Sequence, residues 1–267
     1  MRGLSGQSVR NKGYDMKAKT AVADFWSREA CGERYGVAQE EVRYRLEPEI
    51  ISFADFASTS GRRVLEIGVG MGSDFLNFIR AGAIATGVDL TERAVNITRE
   101  RLQREGLTAD VRIADAESLP FEDNSFDLVY SWGVLHHTPA TRKAMHEAQR
   151  LLAPGGHLKV MLYHRISWVG LAAWIRFCLL RGKPFLGLRR GIAQIESPGT
   201  QAFRRSEVFE MLDSVDEIDV TAKLTHWDRR VAPGLARLLG NRLGWFLLVQ
   251  ARKPAQRVGE GHQILRQ

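Results

Sequence analysis

Cysteine is nearly missing from this chain. Cys31 and Cys178 are the only two in 267 residues. They lie far apart in different kinds of segment, which excludes a disulfide framework and any CxxC metal or redox motif. Such usage fits a reducing compartment, and a cytoplasmic location is expected. The first twenty residues do not read as a secretory signal: they carry Arg2, Arg10, Lys12, Lys17 and Lys19 without an apolar stretch. They read as an irregular arm, and the tail from Pro254 to Gln267 as a loose end. Acidic residues are absent between His157 and Ile195, where seven Lys or Arg residues fall. That one stretch carries a formal charge equal to the +7 of the whole chain. The positive balance is therefore local, and it does not by itself imply nucleic-acid binding. No internal repeat is visible, and 44% hydrophobic with 26% charged residues is the make-up of an ordinary globular protein.

What the sequence does contain is alternation. Arg63–Ile67 reads as a strand that breaks into Gly68-Val69-Gly70-Met71-Gly72, and helical spacing resumes at Asp74. Strand, glycine turn and helix make the βα unit of a nucleotide-binding fold. Further strands are expected at 84–90, 110–114, 126–131 and 157–163, with helices at 92–105 and 141–152 between them and a tight turn at Pro154-Gly155-Gly156. Two later strands, 218–224 and 245–251, can close the sheet. The predicted fold is α/β: a doubly wound, mostly parallel, seven-stranded Rossmann-like sheet. Its expected divisions are an N-terminal arm with cap helices (1–60), a cofactor-binding core (61–164), a helical lid insertion (165–214), closing strands (215–253) and a tail (254–267).

In such sheets ligands sit beyond the carboxyl ends of the strands, at the switch point. Gly68–Gly72, Asp89, Asp115 and Ser131–His137 all fall at such ends. Glycines 68, 70 and 72 let backbone approach a ligand, or merely make a turn. Asp89, 21 residues beyond Gly68, can accept both hydroxyls of a ribose or cap the following helix. Asp115 with the Ala116 amide can read an adenine edge, or Asp115 can close its own Asx-turn. A nicotinamide-dependent oxidoreductase is the competing reading, with Ser73 at the sixth place of its fingerprint. Against it stands Glu66, whose charge would face a pyrophosphate.

Taken together, Val64–Gly72 (VLEIGVGMG), Gly87-Val88-Asp89, Asp115–Phe121 (DAESLPF), Phe126–Val129 (FDLV), Val134–His137 (VLHH) and Leu152–Gly156 (LAPGG) resemble the small-molecule class I S-adenosylmethionine-dependent methyltransferases called type 11. The likeness covers roughly residues 61–163. It implies that Glu66, Gly68, Gly70 and Gly72 surround the methionine part of S-adenosylmethionine, and that Asp89 with neighbouring Leu90 holds the ribose. It places Asp115 and Ala116 at the adenine, and Ser131 and Trp132 beside the sulfonium. S-adenosylhomocysteine would be the spent product.

Methyl transfer from a sulfonium is an in-line displacement with a good leaving group, so positioning can supply much of the rate and a base is needed only if the acceptor must lose a proton. His136, His137, Tyr163 and His164 are the candidates for base or substrate-orienter. Packing beneath the cofactor is the alternative for the paired histidines, and anchoring the insertion for His164. No metal site is expected, because adjacent histidines come without a Cys or carboxylate pattern. An (Asn/Asp)-Pro-Pro-aromatic loop is replaced by Ser131-Trp132-Gly133-Val134, so the acceptor is expected to be a small or amphiphilic molecule, lipid- or glycan-linked forms included, and not nucleic acid. A non-catalytic protein that only binds the cofactor remains the alternative from another class. Trp26, Tyr35 and Arg43 are candidate substrate contacts. Ile166–Leu180 is apolar nearly all round and flanked by Arg165 and Arg181. At fifteen residues it is short for a span, which leaves a buried lid helix or a peripheral membrane contact through 165–190.

Overall fold

The computed structural model describes residues 5–28, 33 and 39–255, with side chains from residue 17 onward. Tyr35, Cys31 and the end of the tail, 256–267, lie outside the described residues. Where an irregular arm is expected, Ser5–Arg28 forms helix α1. Two short helices, α2 (Gln39–Leu46) and α3 (Glu49–Ala54), lead into the core. There β1 (Arg63–Ile67), α4 (Ser73–Arg80), β2 (Ile84–Asp89), α5 (Glu92–Arg104), β3 (Asp110–Ile113), β4 (Phe126–Trp132), α6 (Thr141–Arg150) and β5 (Leu152–Tyr163) alternate. The segment after β5 carries α7 (Trp168–Phe177), α8 (Leu188–Ile192) and α9 (Arg205–Phe209). The chain finishes with β6 (Asp216–Lys223), α10 (His226–Val231), α11 (Pro233–Leu239) and β7 (Phe246–Arg252).

The seven strands lie in the order β3-β2-β1-β4-β5-β7-β6. β1 pairs in parallel with β2 and β4, and β7 runs antiparallel to both β5 and β6. The order reverses between β1 and β4, so a crevice opens above that pair. Periodicity accounts for the helices. On α6 the buried positions are Thr141, Ala144, Met145, Ala148 and Gln149, one stripe at three- and four-residue spacing. On α5 they are Ala94, Val95, Thr98 and Leu102, and the Thr91 hydroxyl caps the helix by accepting from the Ala94 amide at 3.3 Å. β1 buries Val64, Leu65, Glu66 and Ile67, as a strand covered on both faces must.

β5 differs from expectation. Its pairing begins at Leu152, and Pro154-Gly155-Gly156 lies inside the ladder as an irregularity between Phe126 and Leu128 of β4. Gly155 takes a positive φ and donates its amide to the Lys253 carbonyl. The tight turn is thus a bulge in a strand. Of the two readings of this stretch, full burial does not hold for α7: Trp168, Val169, Gly170 and Ala173 face inward, whereas Leu171 and Ile175 are exposed.

Candidate active site

A cavity sits above the β1–β4 switch point, open to solvent and enclosing about 1120 Å³ with that open space included. Its floor is the glycine loop between β1 and α4. Gly68, Gly70 and Gly72 all have positive φ. At Gly68 an added Cβ would lie 2.2 Å from a methyl of Val134, so the turn needs glycine both for its backbone and for its closeness to the β4 loop. Gly68→Ala is expected to lower the unfolding free energy by about 1–2 kcal/mol, read by chemical denaturation; an unchanged midpoint would remove the steric argument.

The loop is held from below and above. Asp89, at the end of β2, accepts from the Gly70 amide with Oδ2 at 3.1 Å. Its Oδ1 accepts from the amide and hydroxyl of Thr91 at 3.0 and 2.9 Å. Helix capping falls to Thr91, which frees Asp89 to brace the loop. Burial raises the Asp89 carboxyl despite these donors. From above, Gln39 on α2 donates to the Ser73 hydroxyl at 2.6 Å, and Arg101 on α5 donates to the Met71 carbonyl at 2.6 Å.

Charge is concentrated at the glycine-loop end of the cavity. Asp74, in the first turn of α4, receives both arms of Arg43 at 3.1 and 2.7 Å. It also accepts the hydroxyls of Tyr44 at 3.0 Å and Tyr130 at 2.9 Å. Glu66 is different: it is buried at the cavity wall, and its Oε2 has no hydrogen-bond partner. Burial, and then the neighbouring Asp74 and Asp89, push its carboxyl well above the usual range, with Arg43 opposing. A buried oxygen of this kind is costly unless something cationic meets it. An ammonium beside it fits, whereas a pyrophosphate does not.

At the other end Asp115 closes its own loop, accepting the Glu117 amide at 2.9 Å, and pairs with Lys19 of α1 at 2.6 Å. Lys19 also meets the buried Glu117 at 2.5 Å. Val22 and Trp26 of the same helix reach the cavity. The cover therefore comes from α1. The insertion meets the cavity wall from behind, through Thr200 on His137, and none of its described residues lines the cavity itself.

Of the sequence candidates, Glu66, Gly68, Gly70, Asp89, Leu90, Asp115, Ala116, Trp132, His137, Trp26 and Arg43 line the cavity. Others lie behind it. Gly72 turns the chain into α4. Ser131 is buried with its hydroxyl on the Ile67 carbonyl at 2.9 Å, so it ties β4 to β1 instead of facing a sulfonium. His136 is fully buried, its ring tilted against that of Tyr163 with centroids 3.9 Å apart. Burial, and then His137, hold it well below the ordinary histidine range. Tyr163 stacks in turn on Trp245 at 4.4 Å. His164 is buried with Nδ1 3.0 Å from the Gly244 carbonyl, which fastens the start of the insertion to β7.

His137 alone of the four base candidates lines the cavity. Its ring meets the edge of Trp26 at 5.3 Å. Nδ1 lies 2.7 Å from the Thr200 hydroxyl, which itself donates to the Ser197 carbonyl at 2.8 Å. The Ser197 hydroxyl stands 3.0 Å from the same Nδ1, so two hydroxyls together hold the ring. Burial lowers the ring to about 4, so it is neutral at pH 7. The sequence reading missed Lys19, Gln39 and Asp74. Only Asp74 left a trace there, as a single acid in an apolar helical stripe. Among the described residues no group of three His, Cys, Asp or Glu side chains is placed to hold a metal ion.

Residues 65–160 match the family described as "Methyltransferase domain". The chain is 33% identical over 150 residues to an uncharacterized protein of Mycobacterium tuberculosis, covering 56% of this chain and 52% of that one. It is 40% identical over 101 residues to the phthiotriol/phenolphthiotriol dimycocerosates methyltransferase of Mycobacterium leprae, 37% of each chain. It thus spans about half or less of the length of these curated relatives. Among solved structures, a SAM-dependent methyltransferase from Thermotoga maritima superimposes with a TM-score of 0.56 at 21% identity, covering 87% of this chain and 99% of that one.

Proposed function

We propose that the chain, whose residues 65–160 match the methyltransferase-domain family, is a class I S-adenosylmethionine-dependent methyltransferase that methylates a small or amphiphilic acceptor. The observation that carries the reading is Glu66: a buried carboxylate oxygen without a partner, beside the glycine loop, where the donor's ammonium group would end. When bound, the donor supplies a methyl group on a positively charged sulfur. The protein's share is to brace the glycine loop through Asp89, to offer Glu66 to the ammonium and to exclude water beneath α1. Leu90, Asp115 and Ala116 line the adenosine end, and Trp132, whose indole donates to Glu47 at 2.8 Å, lines the cavity after β4.

His137 is the side chain we assign to the acceptor, because the ring is neutral and belongs to the cavity wall. Incubation of the chain with labelled donor and separate polar and lipid extracts should yield a labelled product. No label in either fraction, with intact donor binding, would make the protein a binder and not an enzyme. His137→Ala is expected to lower turnover at least about tenfold while leaving S-adenosylhomocysteine affinity unchanged. Equal turnover would show that the acceptor needs no base. An amphiphilic acceptor draws support from the M. leprae relative, named for methylating phthiotriol dimycocerosates.

A further inference from the structure

Two helical segments leave the carboxyl edge of the sheet, the edge on which the cavity opens: α7 follows β5, and α10–α11 join β6 to β7. They pack on each other. Trp168 of α7 clusters with Leu224 and Ala236, and the Val169 amide reaches Asp228 of α10. Their outward faces are apolar at helical spacing. Leu171, Ile175 and Leu179 follow one another at four-residue steps, and so do Trp227 and Val231, all at least a third exposed. Leu235, Leu238 and Leu239 repeat this on α11. Beyond α7, Leu180 is 76% and Phe185 100% exposed. Exposed side chains of this size, grouped on adjoining helices, require a partner.

The charge around them chooses it. Arg176, Arg181, Lys183 and Arg190 in the first segment, and Arg229, Arg230, Arg237 and Arg242 in the second, make no ion pair with described residues. Across 165–195 and 224–245 the one acid is Asp228, which is fully buried. A second copy of this chain set face to face would oppose cation to cation. A nucleic acid would meet mostly branched aliphatic side chains, with Trp227 and Phe185 the two exposed rings of the face. No described helix is long and apolar enough to cross a membrane. Apolar side chains ringed by unpaired cations match an anionic bilayer surface, with the aliphatic groups in the acyl boundary and the guanidinium groups at the headgroups.

We propose that the α7 and α10–α11 face docks peripherally on membranes rich in anionic lipid, placing the cavity edge against the bilayer. The docking stands apart from methyl transfer; that the bilayer delivers an amphiphilic acceptor rests on the reading above. The test is flotation of the full chain, without donor, on phosphatidylcholine vesicles with and without phosphatidylglycerol. The wild type should float with the anionic vesicles and be released by salt. Arg181→Gln with Lys183→Gln should weaken partition about thirty-fold, at about five-fold per cation. Leu180→Ser with Phe185→Ser should weaken it at least about tenfold. Calorimetry with S-adenosylhomocysteine on the same preparations should be unchanged in both double variants, which keeps misfolding and the fate of the donor reading separate from the docking result. No flotation by the wild type, unaltered partition in both variants, or variants that instead dissolve a dimer or an RNA complex would overturn the proposal.

Discussion

Replacing Glu66 by Gln weakens binding of S-adenosylhomocysteine by about 2–3 kcal/mol, roughly 30- to 150-fold, and removes a pH dependence that the wild-type protein displays. Glu66 is held protonated to a higher pH than an ordinary carboxyl by burial and by Asp74 and Asp89. A ligand ammonium beside it favours the charged form and pulls its pKa back down. Binding therefore releases a proton between the ordinary carboxylate range and the raised value, and affinity climbs with pH across that window. The stability of the ligand-free protein runs the other way. Folding raises the pKa, so the folded state holds more protons in the window, and this group's stabilisation is lost as pH rises through it. Above the window Glu66→Gln should be the more stable protein and the weaker binder. Calorimetry in buffers of different ionisation enthalpy reads the proton release; wild-type affinity with no change in proton count would refute the ammonium assignment.

Asp89→Ala is expected to cost twice, because the carboxylate both braces the fold and faces the cavity. Its loss strands the amides of Gly70 and Thr91, and unfolding free energy should fall by about 2–3 kcal/mol. Affinity for S-adenosylhomocysteine should fall by about 1–3 kcal/mol if the ribose hydroxyls are its ligand. Asp89→Asn retains an acceptor and separates the two effects: it should recover stability more than affinity. A folded Asp89→Ala protein that binds as the wild type does would contradict the ribose assignment.

These residues were legible before the structure because each sits at a strand end that short-range pattern alone can locate. Glu66, Asp89 and Asp115 mark where apolar runs stop, and parallel topology carries all three ends to one edge. Side-chain direction within a loop is another matter. His136 and His137 are neighbours in a short 3₁₀ turn, yet one is packed under Tyr163 and the other faces the cavity. No sequence rule distinguishes them, since the choice depends on Thr200 and Trp26 from distant segments. Lys19 meets Asp115 across 96 residues, and α1 itself has no acidic first turn or apolar stripe strong enough to announce it. At β5 the misreading has a local cause. Pro-Gly-Gly normally turns the chain, but here the Lys253 carbonyl accepts the Gly155 amide and the ladder continues.

The sheet's polarity also divides the molecule into a working end and a handling end. Every loop that borders the cavity, and every helix of the cationic face, leaves from the carboxyl edge. The connections at the opposite edge, such as the one through Thr108 between α5 and β3, touch neither, and Thr108 is exposed. A fluorophore or a surface tether attached there would hold the protein upright, with its pocket and its cationic helices turned toward whatever is presented to them.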